Sequence, residues 1–253
     1  LSSSSVSSGQ TLLQFEGISG GRVIWSIASH YPDRCQAIIN LSVPYFARGF
    51  ALPHLVALVD REIYPEDRYP VGQWDYWLYY RESFASAPRD FEADVPAKIA
   101  ALYRAGSREA IGKPAFTSVL RSQGGWFGPT HRAPAMSLDS SMLSQSDYDL
   151  FVTAFKKTGF RGVNAWYLND AANIEFAGKA VNFGRLPMPV LFLHGELDVV
   201  CETARSRLAD PMRADCDDLS EVRIHGGHFF MLEKSIEVNE AMASWLAKKG
   251  IGR

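Results

Sequence analysis

The chain lacks an excess of charge of either sign: among its 253 residues, 26 are basic and 28 are acidic. Without a basic excess to neutralise a phosphate backbone, nucleic acid is not expected as a partner. Its three cysteines are too few and too widely spaced for a disulfide framework or a zinc knuckle, which predicts a reducing, cytoplasmic location. No apolar run approaches the ~20 residues of a membrane-spanning helix, so no membrane span is expected.

Strand and helix patterns alternate at both ends of the chain, which is typical of an α/β fold with a parallel sheet. Continuous apolar runs predict strands buried on both faces, and apolar residues spaced three and four apart predict helices. The predicted strands are 12–15, 37–43, 189–195 and 222–225. The predicted helices of this frame lie at 23–31, around 203–208 and at 238–245.

The middle of the chain has a different composition: it is rich in tryptophan and tyrosine and contains few strand patterns. Its apolar spacing is helical, as at 95–105 and 146–158. We therefore predict a Ser-rich start at 1–10, an α/β core formed by 11–46 and 185–250, and a helical insertion at 47–184.

The segment 17–21 matches the pattern G-x-S-x-G between a predicted strand and a predicted helix. In a nucleophile elbow, glycines permit a turn so tight that the middle side chain points into the active site. Ser19 is then a candidate nucleophile. A glycine turn with a bystander serine explains so short a pattern equally well.

Two further candidates, Asp198 and His228, each follow a predicted strand. The carboxyl ends of parallel strands are where sites form in open α/β sheets. Ser19, Asp198 and His228 occur in the order nucleophile, acid, base that is expected of an α/β-hydrolase. His225 and His228 have no third ligand at helical spacing, so no metal or other cofactor is expected.

Most of the chain carries a family pattern, in the segments 22–35, 39–45, 74–80 and 160–167 and around Asp198 and His228. From about residue 20 to 249 the chain resembles the epoxide hydrolases of the α/β-hydrolase superfamily. The resemblance implies a partial α/β-hydrolase fold in which the insertion is a helical cap. It also implies that Tyr76 and Tyr167 hold and protonate the epoxide oxygen, that Asp198 orients His228, and that His228 activates water.

The sequence departs from the family pattern at the elbow, which in the family reads His-Asp-Trp-Gly with the aspartate as nucleophile. An ungapped alignment from 23–25 places Ile18 at that aspartate, and a shift of one places Ser19 there. Aspartate forms an ester that water can cleave, whereas serine would form an ether that water could not. A serine suits ester hydrolysis instead.

The family's early strands and its His-Gly-x-Pro segment have no counterpart before Gly17, so the chain is expected to correspond to the C-terminal part of an epoxide hydrolase. Three hypotheses remain. The chain is an epoxide hydrolase-like enzyme that hydrates a small apolar epoxide, a serine esterase that uses Ser19, His228 and Asp198, or an inactive fragment that at most binds apolar ligands.

Overall fold

The computed structural model describes the backbone of residues 10–13, 18 and 19 and the whole of residues 20–251. Its described strands form one parallel sheet in the order β1-β2-β3-β4. The strands are β1 (Gln10–Leu13), β2 (Cys35–Leu41), β3 (Leu186–Gly195) and β4 (Cys216–Ile224).

Helices precede, interrupt and follow this sheet. Around the strands lie α1 (Ile18–His30), α10 (Asp210–Asp215), α11 (Phe230–Glu233) and α12 (Ser235–Lys249). Between β2 and β3 lie α2 (Leu52–Val56), α3 (Asp75–Glu82), α4 (Arg89–Glu92), α5 (Val95–Leu102), α6 (Leu120–Gln123), α7 (Gln145–Thr158), α8 (Arg161–Ala165) and α9 (Asp170–Ala177).

The two central strands are buried on both faces, as their continuous apolar runs predict. Successive side chains of a strand point to opposite faces. On one face, Ile38 and Phe192 pack with Trp25 of α1. On the other, Leu191 packs with Trp245 of α12. The helices that flank the sheet therefore hold β2 and β3 from both sides.

The predicted strands at 37–43, 189–195 and 222–225 match β2, β3 and β4, and helices α1 and α12 also form where the apolar spacing predicts them. The helix predicted around 203–208 is wrong. There the Glu202 carboxylate accepts the backbone N–H groups of Ala204 and Arg205 at 3.1 and 2.9 Å, which makes a turn instead. A 3₁₀ turn at Arg207–Ala209 then leads into α10.

The helical insertion packs around its own aromatic cluster, whose fully buried members include Trp74, Trp77 and Phe160. Residues 42–185 are all described, and they contain no strand, which agrees with the scarcity of strand patterns in this part of the sequence. The predicted domain limits remain a prediction. At the other end of the chain, the strand predicted at 12–15 corresponds to β1, while residues 14 and 15 lie outside the described residues.

Two smaller expectations concern the whole chain. Among residues 10–13 and 18–251, no helix combines the length and the apolar character that crossing a membrane requires. All three cysteines, Cys35, Cys201 and Cys216, are buried and free.

Candidate active site

Asp198 lies in the turn that follows β3, and its side chain is 1% exposed. Its Oδ1 atom accepts the backbone N–H groups of Val200 and Cys201 at 2.8 and 2.9 Å. A buried carboxylate needs such partners, because burial of an unpaired charge is costly. The turn therefore holds the carboxylate in one orientation and leaves Oδ2 for another partner.

That partner is His228, in the loop after β4: the distance from His228 Nδ1 to Asp198 Oδ2 is 2.7 Å. The loop is attached to the end of β2, since Ser42 Oγ donates a hydrogen bond to the His228 carbonyl oxygen at 3.1 Å. The other ring nitrogen, Nε2, is buried and has no hydrogen-bond partner among the described residues. The imidazole is thus oriented on one side and available on the other.

The electrostatics of this pair favour a charged imidazole. Burial alone lowers the pKa of His228, but the adjacent Asp198 carboxylate outweighs it, and the net pKa is raised above its ordinary value. A histidine that gains a proton readily, next to a fixed carboxylate, can remove a proton from water or from a nucleophile.

The insertion approaches this loop closely at a glycine. A Cβ atom on Gly106 would lie 2.6 Å from the backbone nitrogen of Gly227, so a side chain there would displace the loop. The Glu233 carboxylate accepts the N–H of both residues, at 3.2 Å from Gly106 and 2.8 Å from Gly227. A partly buried contact through Glu233 therefore joins the insertion to the histidine loop.

Tyr76 of α3 and Tyr167, which follows α8, come together although they are far apart in sequence. Their ring centroids lie 5.2 Å apart in an edge-to-face arrangement. Burial raises the pKa of Tyr76 well above its ordinary value and also raises the pKa of Tyr167. Both phenols therefore stay protonated near neutral pH. Tyr76 Oη is buried without a hydrogen-bond partner among the described residues.

Cys201 connects the tyrosine pair to the histidine pair. Its thiol lies close enough to both Tyr76 and Tyr167 to raise their pKa values if it were ionised. Its Sγ atom also belongs to a group in which the ligand atoms of Asp198, Cys201 and His228 all lie within 4.8 Å of one another. The insertion and the strand ends thus meet at Cys201.

Asp198, Cys201 and His228 are also the set of side chains in the described part of the chain that lie close enough together to hold a metal ion. Burial raises the pKa of Cys201 well above its ordinary value, which disfavours the thiolate that a metal requires. The short contact in the group is the hydrogen bond between Asp198 and His228. The arrangement fits a proton-transfer pair beside a neutral thiol better than a metal centre.

Sequence reasoning missed one residue of this site, Arg22 in α1. The Arg22 guanidinium lies 4.9 Å from the Trp77 ring centroid and 5.5 Å from that of Tyr167. A signal for it exists in the sequence. Arg22 precedes the buried Trp25 by three residues, and residues three apart share one face of a helix.

The remaining sequence candidates lie at the start of α1. Ile18 and Ser19 are its first two residues. Their backbone follows β1 in the chain, which is the position that a strand-to-helix elbow requires. Of the elbow predicted at 17–21, Gly17 and the side chains of Ile18 and Ser19 lie outside the described residues. The roles of Ser19, Asp198, His228, Tyr76 and Tyr167 stay predictions.

Comparison with known proteins supports the resemblance. No family model matches the chain. The chain is 27% identical over 228 residues to bifunctional epoxide hydrolase 2 of Sus scrofa, covering 90% of this chain and 37% of that protein. It is 28% identical over 233 residues to epoxide hydrolase A of Mycobacterium tuberculosis, covering 90% of this chain and 66% of that protein. The predicted resemblance to epoxide hydrolases is confirmed.

A solved structure establishes the fold. The crystal structure of epoxide hydrolase A from Mycobacterium thermoresistibile superposes with a TM-score of 0.63 at 24% identity. The match covers 89% of this chain and 66% of that one. The predicted partial α/β-hydrolase fold with a parallel sheet is therefore confirmed. The chain spans about a third of the pig relative's length and just under two thirds of the mycobacterial relative's.

Proposed function

We propose that this chain carries the water-activating and oxygen-protonating parts of an epoxide hydrolase and acts on a small apolar epoxide. The observation that carries the proposal is the 2.7 Å hydrogen bond between Asp198 and His228, placed beside a pair of buried, protonated tyrosines. The resemblance to named epoxide hydrolases supports the choice of substrate class.

In this proposal, His228 Nε2 removes a proton from water while Asp198 stabilises the imidazolium that forms. Nε2 is the free ring nitrogen, and it is buried, so few competing waters surround it. Asp198 is oriented by two backbone N–H groups and can accept a hydrogen bond from the Nδ1–H group without moving. This is the division of labour that general-base catalysis requires.

The tyrosines act on the oxygen of the three-membered ring. When a carbon–oxygen bond of the ring breaks, the oxygen becomes an alkoxide and needs a proton. Tyr76 and Tyr167 keep their protons near neutral pH, since burial raises both pKa values. The Tyr76 hydroxyl has no partner among the described residues, so its proton is available to a substrate. The product is a vicinal diol, one water heavier than the epoxide.

This chain differs from the family pattern in the group that attacks the epoxide carbon. Ile18 aligns with the nucleophilic aspartate and cannot form a covalent ester. In the proposed reaction, water activated by His228 attacks the ring carbon directly, and the turnover of the unaltered chain is slow. Covalent catalysis divides one difficult step into two easier ones, and this chain lacks that advantage.

The experiment is to restore the missing carboxylate. Ile18→Asp is expected to raise the rate of hydration of an aryl epoxide by at least about 100-fold over the unaltered chain. Val23→Asp is the matched control, because it adds a carboxylate to the same helix at a position that is 43% exposed. This control is expected to leave the rate unchanged.

Mass spectrometry provides a second measurement. The carboxylate introduced by Ile18→Asp would open the ring to a hydroxyalkyl ester, which water activated by His228 then cleaves. The double variant Ile18→Asp with His228→Gln is therefore expected to accumulate an adduct of the mass of one epoxide. If Ile18→Asp is no faster than the control and forms no adduct, the epoxide does not bind beside the start of α1, and the proposal is wrong.

The serine esterase and inactive-fragment hypotheses stay predictions. A fluorophosphonate would label Ser19 in the first case and not in the second. The predicted cytoplasmic location is likewise proposed, and the three free, buried cysteines support it because a reducing compartment preserves thiols. The proposed partner remains a small apolar molecule rather than a nucleic acid.

A further inference from the structure

The Tyr167 ring packs against α3. Its centroid lies 5.2 Å from that of Tyr76, 5.1 Å from that of Trp77 and 4.9 Å from that of Tyr80. The contact with Tyr80 is stacked, with 26° between the ring planes. Apolar burial has no preferred direction, so a stacked ring can slide along its neighbour without losing the contact. Ring packing therefore brings Tyr167 next to Tyr76 but leaves the position of its hydroxyl group to be fixed by another contact.

The backbone of Tyr167 is attached to the same helix through Arg81. This arginine lies near the end of α3, and its Nε donates a hydrogen bond to the Tyr167 carbonyl oxygen at 3.2 Å. Tyr167 lies between the end of α8 and the start of α9. A hydrogen bond is directional, so this contact restrains the Tyr167 backbone in a way that ring packing does not. One helix therefore carries Tyr76 and also holds the backbone of Tyr167.

Asp170, the first residue of α9, holds the Arg81 guanidinium in place. Its Oδ2 atom pairs with Arg81 Nη2 and accepts the backbone N–H of Leu52, the first residue of α2, at 2.9 Å. The Asp170 side chain is 10% exposed, and its Oδ1 atom is buried without a partner among the described residues. Separation of the pair would leave this enclosed carboxylate without its cation, which is costly. The ion pair therefore keeps Arg81 at the Tyr167 backbone.

The shape of the guanidinium suits this arrangement, because the group is planar and its donors are fixed in a fork. Nε binds the Tyr167 carbonyl and Nη2 binds the Asp170 carboxylate, so one rigid group sets the position of the first relative to the second. Asp170 begins the helix that follows Tyr167. The short segment from Tyr167 to Asp170 is therefore held at both ends, which limits the movement of the Tyr167 backbone.

We propose that Arg81 is a positioning residue that holds the Tyr167 hydroxyl beside Tyr76, where the epoxide oxygen is protonated. The inference rests on the proposed function, which gives Tyr167 a proton to transfer during ring opening. Arg81 acts on this step through the Tyr167 backbone and takes no part in the chemistry itself. A displacement of a reacting group by about 1 Å can cost about 100-fold in rate, so loss of Arg81 is expected to slow ring opening measurably.

The test measures how fast the covalent adduct forms in the double variant that accumulates it. Arg81→Met is expected to slow adduct formation by about 10-fold. Arg104→Met is the matched control. The Arg104 guanidinium also binds a backbone carbonyl oxygen, that of Ser137 at 2.9 Å, and a carboxylate, that of Asp139 at 3.8 Å, within the insertion. Neither of these partners carries a reacting group, so the control is expected to leave the rate unchanged.

A double-mutant cycle separates positioning from a general structural role. In a Tyr167→Phe background the hydroxyl is absent, so Arg81→Met is expected to slow adduct formation further by less than about 3-fold. A structural role would slow the reaction by the same factor with or without the hydroxyl. Decay of the adduct, measured in Ile18→Asp alone, depends on His228 rather than on Tyr167. Arg81→Met is therefore expected to leave that decay unchanged.

Arg81→Lys keeps a cation beside Asp170 and provides a second variant if Arg81→Met does not fold. It is expected to keep the thermal unfolding temperature of its parent and yet to form the adduct more slowly, because one ammonium group does not reproduce the fork. An Arg81→Lys variant as fast as its parent, an unchanged rate in Arg81→Met, or equal slowing with and without the Tyr167 hydroxyl would each overturn the inference.

A spectroscopic measurement tests the position of the ring independently of turnover. When 3-fluorotyrosine is incorporated in place of Tyr167, its fluorine NMR resonance reports the surroundings of the ring. Arg81→Met is expected to shift or broaden this resonance, whereas Arg104→Met is expected to leave it in place. An unchanged resonance in Arg81→Met would overturn the inference. If no adduct forms even with Ile18→Asp, the proposed function is wrong, and the resonance still decides whether Arg81 holds the ring.

Discussion

The loops at the strand ends and the helical insertion build their halves of the site by different means. After β3 and β4, hydrogen bonds place the side chains. The Asp198 carboxylate accepts hydrogen bonds from two backbone N–H groups and pairs with His228 Nδ1, which fixes the orientation of the imidazole ring. In the insertion, ring packing places them. Tyr167 lies against Tyr80 at 4.9 Å and against Tyr76 at 5.2 Å between ring centroids.

The difference is in how well the polar atoms are satisfied. In the insertion, Tyr76 Oη and the indole nitrogens of Trp74 and Trp77 are buried without partners among the described residues. The strand-end half is therefore specified by electrostatics, and the insertion half is specified by shape. Substitution of one partner in a buried polar contact leaves the other partner unsatisfied, which costs more free energy than substitution of an apolar side chain of equal volume. We therefore expect mutations in the strand-end half to reduce activity more than mutations in the insertion half.

The sharpest test of the comparison is Asp198→Asn, made in the Ile18→Asp background so that turnover is measurable. The amide keeps the size of the carboxylate but cannot stabilise an imidazolium. We expect turnover of an aryl epoxide to fall by about a thousandfold or more. Asp218→Asn is the control, since that carboxylate pairs with Lys249 at the surface and is 45% exposed. A loss of less than tenfold would mean that Asp198 serves only the turn.

The second test removes each phenol in turn. Tyr76→Phe and Tyr167→Phe, in the same background, are expected to slow ring opening by about 10- to 100-fold each, since general acid catalysis contributes on this scale. Tyr76→Phe is also expected to raise the free energy of unfolding by about 1 kcal/mol, because it removes a buried hydroxyl without a partner.

Tyr80→Phe is the matched control, because this fully buried ring stacks on Tyr167 and has no role in the proposed reaction. Rates would be measured in single turnovers and stability in urea. If Tyr80→Phe slows ring opening as much as the other two variants, the tyrosines act through packing, and the insertion has no chemical role.

The third test concerns Lys98, a buried amine of the insertion that lies among aromatic rings. Lys98 is 6% exposed, and its Nζ lies 4.3 Å from the Phe160 centroid and 4.8 Å from that of Phe155. Burial lowers the pKa of Lys98 to about 7. Between that value and the ordinary pKa near 10.5, the unfolded chain binds a proton that the folded chain does not. Stability is therefore expected to rise with pH in this window, by up to about 1.4 kcal/mol per pH unit.

Urea unfolding at pH 7 and pH 9 measures this effect as a difference between variants. Lys98→Met is expected to be more stable than the unaltered chain at pH 7 and to lose about half of the advantage at pH 9. Lys157→Gln, an exposed position on α7, is expected to change neither value. A pH dependence that Lys98→Met shares with the unaltered chain would assign it to other groups.

The smallest expected effect is a shift in a pH profile. Because Asp198 raises the pKa of His228 and burial opposes it, the Ile18→Asp enzyme is expected to lose activity as pH falls through a value above 6.5. Below that value the imidazole is charged and cannot act as a base. Asp198→Asn is expected to move this acid limb to lower pH. A limb that stays in place would show that a group other than His228 titrates.

Strands β2 and β3 were predictable because burial on both faces requires a continuous apolar run. The positions of Asp198 and His228 after strand ends followed from the same pattern. The turn at 203–206 was not predictable, since the Glu202 side chain competes there with helical hydrogen bonding. Arg22 was missed because a charged residue on a helix is ordinarily assigned to the solvent face.

The sequence by itself determined the order of elements, the parallel sheet, the family resemblance and the identity of the residues that can transfer protons. Local spacing encodes these features, since strand burial and helix faces repeat every few residues. Tertiary structure alone decided which of them meet. Tyr76, Tyr167, Cys201 and Arg22 come from separate elements, and only long-range packing desolvates them together, which raises the tyrosine pKa values and leaves one guanidinium buried without a described counter-ion.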